Sequence, residues 1–184
     1  VFPVKTHSRE ALEHALRGKE YWDRYGLLRP STNGTNGRLI LDDEALLPWV
    51  TVRDALAGLP LPAGSQNEAE MNHWVIPGAR SYDGHTGSQM DWPAKTIKAG
   101  VHGVPGGENT VIDSSGELRY FTLRETARIQ SFPDDHQFSG TRTHITRQIG
   151  NAVPSRLAAA IARPIYALVN NEMAARTVRR KRAS

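Results

Sequence analysis

The stretch that most constrains this chain is Thr122-Leu123-Arg124-Glu125, followed closely by Phe132-Pro133. A threonine three residues before a glutamate forms a capping box. The hydroxyl accepts the third amide of the helix, and the carboxylate reaches back to the threonine amide. Losing such a cap costs about 1 kcal/mol. Proline has no amide hydrogen and clashes with the preceding turn, so a helix opened at Thr122 must stop at Phe132. A loop is expected from Pro133 to Pro154, which suits a first helical position. Leu157, Ile161, Ile165 and Leu168 then recur with helical spacing and predict one apolar stripe facing a partner surface. Pro164 falls inside that helix and is expected to kink it.

Upstream, residues 8–25 read as helical, with Ser8 as cap, Leu12, Leu16 and Trp22 on the apolar face, and Gly18 dividing the segment into two short helices. Residues 30–37 carry two Asn-Gly pairs and read as loop, and Arg38-Leu39-Ile40-Leu41 as a short strand. Thr51 to Leu59 predicts a one- or two-turn helix with Asp54 completing a second capping box, ended by Leu59-Pro60-Leu61-Pro62. Residues 63–118 are rich in Gly and Pro and predict strand and loop. Lys95 to Ala99 and Thr110 to Ile112 are the expected strands, with a Gly-rich loop from Gly100 to Gly107 between them and a turn at Asp113 to Gly116.

A composition of 39% hydrophobic and 23% charged residues belongs to a globular chain. No apolar run approaches the roughly 20 residues of a membrane span. No signal peptide opens the sequence, and the cytoplasm is the expected compartment. The chain starts at Val1 rather than Met, as expected of an engineered segment, a proteolytic product or a piece of a longer polypeptide. The net charge of +4 is concentrated in residues 172–184, a tail read as frayed and solvated, whereas residues 1–171 hold 18 basic and 18 acidic side chains. There is no cysteine. That excludes disulfides, thiolate metal sites and a thiol nucleophile within this chain. His85 and His102 lack ligand spacing, so no metal is expected, and both read as residues of a loop or of a binding face.

Two segments carry a more specific message. The first runs from Arg119 to Asp134 and includes Thr122, Leu123, Arg124, Glu125, Ala127, Arg128, Gln130, Phe132 and Pro133. The second is Gln148-Ile149-Gly150-Asn151-Ala152-Val153-Pro154. In order, spacing and identity they resemble the ninth and tenth conserved motifs of the DNA (cytosine-5) methyltransferases. Pro93-Ala94-Lys95-Thr96-Ile97 resembles the family's threonine-containing recognition signature. Phe2-Pro3 with Thr6-His7-Ser8 resembles the segment after its eighth motif. The resemblance covers most of the chain, specifically after residue 90 and loosely before it.

The resemblance implies that Asn151, Ala152 and Val153 line an S-adenosylmethionine pocket, with Ala152 contributing only backbone because relatives often have serine there. Gly150-Asn151 is expected to be a tight, extended turn; without the resemblance it would be an ordinary helix entry. Thr96, flanked by Lys95 and Lys98, is implied to meet DNA, although a strand threonine is otherwise simply a good β-former. Arg119, Thr122, Arg124, Glu125 and Arg128 are implied to organise the fold. Arg124 and Arg128 share a helix face. Their guanidiniums can hold a backbone or phosphate, or pair with Glu125, Asp134 or Asp135 and brace the fold.

The family's reaction needs a cysteine thiolate to attack the cytosine, a glutamate at the ring nitrogen and a Gly-rich cofactor turn. The target base must leave the stack to be reached. None of those parts is present, so no catalytic residue is assigned here. The expected fold is α+β: a β- and loop-rich target-recognition lobe with a helical C-terminal part that packs on a Rossmann-like catalytic domain lying N-terminal to this region. Residues 1–118 are expected to be mainly recognition region, 119–171 the segment completing the catalytic domain, and 172–184 a basic tail. The expected partners are double-stranded DNA and an N-terminal catalytic domain or subunit, in a restriction-modification setting. A stand-alone DNA-binding module without catalysis, or a scaffold subunit, are the alternative readings.

Overall fold

The computed structural model describes residues 3–30, 46–65, 72–81, 83, 86–100 and 109–182, with side chains to residue 171. The expected features at residues 31–37, Arg38 to Leu41, His85 and residues 101–107, with His102, lie outside the described residues. The architecture is mixed α and β, with helices around two small sheets.

Strand β1 (His7–Ser8) pairs in parallel with β2 (Leu47–Pro48). Ser8 also caps helix α1 (Arg9–Arg17), its hydroxyl accepting the Ala11 amide at 3.1 Å. Gly18 separates α1 from α2 (Lys19–Arg24), which buries Tyr21 and Trp22. Helix α3 (Val52–Leu56) opens with the complete capping box of Thr51 and Asp54. Strand β3 (Ser88–Gln89) runs parallel to β4 (Thr110–Ile112), which pairs antiparallel with β5 (Leu118–Tyr120).

Helix α4 (Leu123–Ile129) carries the second complete box and is the centre of the fold. Residues 121–127 are all buried, and helices α3 and α5 pack on α4. Leu123 and Ala127 join Trp74, Ile76, Ile97, Ile145 and Ile149 in one apolar cluster, while Val52, Val111 and Phe121 form another. Ile129 touches both. The core therefore draws residues from both sides of the 118/119 boundary drawn from the sequence.

Three expectations are corrected here. Lys95 to Ala99 is not a strand. Its backbone is held by side chains instead of a ladder: Lys95 N–H donates to Ser88 Oγ at 3.1 Å, and Lys98 exchanges two bonds with the Asn109 carboxamide. The expected loop between Pro133 and Pro154 contains helix α5 (Arg142–Asn151), capped by Thr141. Only Ile145 and Ile149 of α5 are buried, too few apolar residues to announce a helix by periodicity. Helix α4 ends at Ile129, earlier than Pro133 requires, because Ser131 takes a left-handed backbone (φ 59°).

Helix α6 (Ser155–Arg182) follows, with Pro154 just before it accepting its first bond from Ala158. Pro164 lies within α6, which continues on both sides of it. The backbone is helical through Arg182, so the basic tail is not frayed as expected. Leu157, Ile161, Ile165 and Leu168 are exposed, between 42% and 50%.

The α2–α3 junction carries a titratable network. Burial by itself raises the Asp54 carboxyl, but hydrogen bonds from Tyr25 and Thr51, with Arg24 at 3.7 Å, hold it below its ordinary value. Burial likewise pushes the Tyr21 phenol well above its usual range. Because the folded Asp54 value is depressed, its stabilisation is complete above the unfolded value of about 3.9. It is lost as pH falls through the lower folded value. Urea denaturation from pH 7 to pH 2 is expected to show stability falling on acidification, with a shallower fall in Asp54→Asn. Parallel pH profiles in the two proteins would contradict this role.

Candidate functional site

Three kinds of residue were singled out in the sequence, and the fold brings two of them together. The first is the bracing set. Arg119 grips Glu125 with two bonds of 2.7 Å, while the Glu125 carboxylate also takes the Thr122 amide at 2.8 Å. Burial by itself lowers the Arg119 guanidinium, but the hydrogen bonds and charge of Glu125, with the charge of Asp113, hold it above its ordinary value. His73, buried, bridges Thr122 Oγ1 at 2.7 Å and the Pro60 carbonyl at 2.9 Å. A carbonyl only accepts, so Nε2 carries the proton, and Nδ1 receives the Thr122 hydroxyl. The threonine hydroxyl thus serves the box and the histidine at once.

Arg124 is 1% exposed and donates to the carbonyls of Pro133 (3.3 Å) and His136 (2.8 Å), with its guanidinium over the Phe138 ring. It fastens the loop after α4 onto that helix. Burial lowers its affinity for the proton. Arg128 pairs with Asp134 through two bonds and also reaches the Ala57 carbonyl at 2.6 Å, which ties α4 to the end of α3. The Arg128 hydrogen bonds hold Asp134 below its ordinary value. Both arginines are spent inside the chain.

The other two sets meet. Along residues 95–98, Lys95, Thr96 and Lys98 are exposed while Ile97 is buried in the core cluster, so Thr96 and both lysines face outward. Against the back of this segment lies Gly150. A Cβ on Gly150 would sit 2.7 Å from the Lys98 carbonyl carbon and closer still to Ala99 N and Cα. These partners are backbone and cannot swing aside. Gly150 is therefore where helix α5 and the 95–99 segment cross with nothing between them.

Gly150-Asn151 is consequently not the extended turn expected from the sequence. Both residues complete α5, and the turn is Ala152-Val153-Pro154. Ala152 N–H donates to the Ile149 carbonyl at 3.2 Å and thus closes the helix. The Ala152 carbonyl and that of Ile149 both face Gln130 Nε2, at 3.5 and 3.1 Å. What the turn presents outward is the Asn151 carboxamide and Val153, both exposed. Ser131 completes the corner: its hydroxyl accepts the Arg156 amide at 3.3 Å, and its carbonyl accepts Ser155 Oγ at 3.0 Å. Gln130 and Ser131 were not assigned roles from the sequence. Their signal was a polar pair in the last turn of the expected helix, which reads as solvent-facing until the chain segment it holds is seen.

A pocket of about 360 Å³ opens elsewhere, lined by His7, Trp49, Val50 and Pro93. Among the described residues no group of three or more His, Asp or Glu is placed to hold a metal, and no helix is long and apolar enough to cross a membrane.

Residues 56–167 match the sequence profile of the family described as C-5 cytosine-specific DNA methylase. The chain is 44% identical over 79 residues to the Type II methyltransferase M.NgoFVII of Neisseria gonorrhoeae, covering 43% of this chain and 20% of that protein. It is 40% identical over 77 residues to DNA (cytosine-5)-methyltransferase 2 of Arabidopsis thaliana, covering 42% of this chain and 5% of that one. With the Type II methyltransferase M.SacI of Streptomyces achromogenes it shares 32% identity over 162 residues, covering 72% of this chain and 41% of that protein. The matches thus cover less than half the length of each of these relatives.

The Gly150 crossing makes a direct prediction. Alanine in place of glycine gains up to about 1 kcal/mol of helix propensity, but overpacking against fixed backbone costs about 1–3 kcal/mol or more. Gly150→Ala is expected to lower the denaturant midpoint, a net loss of up to about 2 kcal/mol on that balance. An unchanged or raised midpoint would mean the crossing tolerates a Cβ.

Proposed function

The chain belongs to the C-5 cytosine-specific DNA methylase family, and from that premise we propose that it supplies the target-recognition region and one wall of the S-adenosylmethionine pocket. The observation that carries this reading is the crossing at Gly150, which fastens the outward-facing Lys95, Thr96 and Lys98 to the helix ending at Asn151. A recognition surface and a cofactor wall built on one rigid joint keep their spacing when DNA is bound. Reaction geometry demands that, since an error of about 1 Å at the reacting atoms can cost 100-fold in rate.

In this reading Thr96 meets the DNA near the target base, and Lys95 and Lys98 attract its phosphates. The cofactor is the methyl donor when bound. The exposed Asn151 carboxamide, which both donates and accepts, orients its polar end, and Val153 covers an apolar part. Ala152 adds shape only, since its backbone groups are engaged within the chain. Arg119, Thr122, Arg124, Glu125 and Arg128 brace the joint from behind.

The reacting thiolate comes from a different part of the assembly, because this sequence contains no cysteine. That part is a Rossmann-like catalytic domain, as a separate subunit or as the rest of a longer chain. The exposed Leu157, Ile161, Ile165 and Leu168 stripe packs against it. The resulting enzyme methylates C5 of cytosine in double-stranded DNA, as part of a restriction-modification system. Within the chain, residues 1–118 serve recognition, 119–171 complete the catalytic domain and 172–184 form the basic tail.

Transfer of labelled methyl groups from S-adenosylmethionine to DNA tests the proposal. The 184-residue chain alone is expected to transfer none. Adding a family polypeptide that contains the Pro-Cys, Glu-Asn-Val and Gly-rich motifs is expected to restore transfer to cytosine. Transfer by the chain alone, or no transfer after addition of its cognate catalytic part, would overturn it.

A further inference from the structure

Charge in this chain is divided more sharply than its net value suggests. Residues 1–135 contain 14 basic and 18 acidic side chains, and residues 136–184 contain nine basic and one acidic. In the first part five arginines face carboxylates: Arg9 with Glu13, Arg24 with Asp54, Arg53 with Asp91, Arg119 with Glu125 and Arg128 with Asp134. Residues 136–171 contain no carboxylate at all, yet carry Arg142, Arg147, Arg156 and Arg163, all exposed. None of these four forms an ion pair among the described residues.

The placement on α6 sharpens the pattern. Arg156 and Arg163 are seven residues apart, so they lie on one face, about 10 Å apart along the axis. At roughly 100° per residue, that face lies about 145° around the helix from the centre of the Leu157, Ile161, Ile165 and Leu168 stripe. A partner covering the stripe therefore leaves the arginines in solvent. On α5, Arg147 lies away from the buried Ile145 and Ile149. A row of unneutralised guanidiniums complements a regular polyanion, and duplex DNA presents a phosphate charge about every 3.4 Å along each strand.

We propose that Arg156 and Arg163 of α6, supported by Arg147 of α5, form a phosphate-binding ridge that holds duplex DNA outside the bases met by the recognition segment. This rests on the DNA-methyltransferase reading and adds a second, sequence-independent contact to it. Phosphate contacts set position and affinity without reading sequence. The ridge lengthens the hold on DNA while leaving the choice of target to the segment around Thr96.

The test is binding of the chain to two unrelated mixed-sequence duplexes of about 25 base pairs between 50 and 200 mM salt. Each phosphate contact contributes about 0.9 to the slope of log affinity against log salt. The double variant Arg156→Gln/Arg163→Gln is expected to lower that slope by about 1.8 on both duplexes. Its circular dichroism should be unchanged. Lys19→Gln, an exposed charge in the acidic part, serves as control and is expected to leave the slope unaltered. An unchanged slope in the double variant, an equal drop in the control, or no duplex binding at 50 mM salt would each overturn the ridge. The methyl-transfer assay separates the two ideas. Restored transfer with a flat slope removes the ridge alone, whereas failed transfer removes the recognition reading and leaves the slope to judge the ridge.

Discussion

The backbone of Ala99 lies so close to Gly150 that no side chain fits between them, and the arrangement of this chain follows from that contact. It fixes where α5 crosses the 95–99 segment. It also sets the distance between the outward-facing Thr96 and the end of α5 at Asn151. Packing supports the joint from one side, where Ile97, Ile145 and Ile149 enter the same cluster. Polar bonds support it from the others. Asn109 holds Lys98 by both backbone groups, and Gln130 holds the carbonyls at the end of α5. A close crossing of this kind has few adjustable atoms, so it behaves as a fixed joint.

Helix α4 is what lets the joint be rigid. Its cap is buried, so each polar atom must be satisfied internally or incur the cost of desolvation. Thr122, Glu125, Arg119 and His73 satisfy one another. Arg124 and Arg128 then use their donors on the Pro133–His136 loop, Asp134 and the end of α3. From that base the Gln130-Ser131 corner directs both the end of α5 and the start of α6. The same economy explains the charge division: Arg119 and Arg128, which brace the core, pair with carboxylates, whereas Arg142, Arg147, Arg156 and Arg163 form no ion pair among the described residues.

The capping boxes, the break at Gly18 and the strand at Thr110 to Ile112 were legible because each is written in local chemistry: a hydroxyl and a carboxylate three apart, a glycine between helical segments, β-branched residues in a row. Helix α5 was not, because Arg142-Thr143-His144-Ile145-Thr146-Arg147 has the composition of a loop and only two apolar anchors. Lys95 to Ala99 looked like a strand since β-propensity reports a pleated surface, and here Ser88 and Asn109 side chains replace the neighbouring strand. The meaning of Gly150 was hidden for a related reason. A glycine before an asparagine suggests a turn, and only the fold shows the backbone that lies against it. The candidate site was legible as two motifs, while their junction depended on a contact between residues about 50 apart in sequence.

Hydrogen exchange in Gly150→Ala is the most direct measurement of whether the recognition and cofactor segments form one unit. If they do, the Lys95 and Lys98 amides lose protection together with Ala152, while the Glu125 amide inside the buried cap of α4 stays protected. Loss confined to α5, with Lys95 and Lys98 unchanged, would contradict the joint and with it the proposal that one rigid element serves both DNA and cofactor.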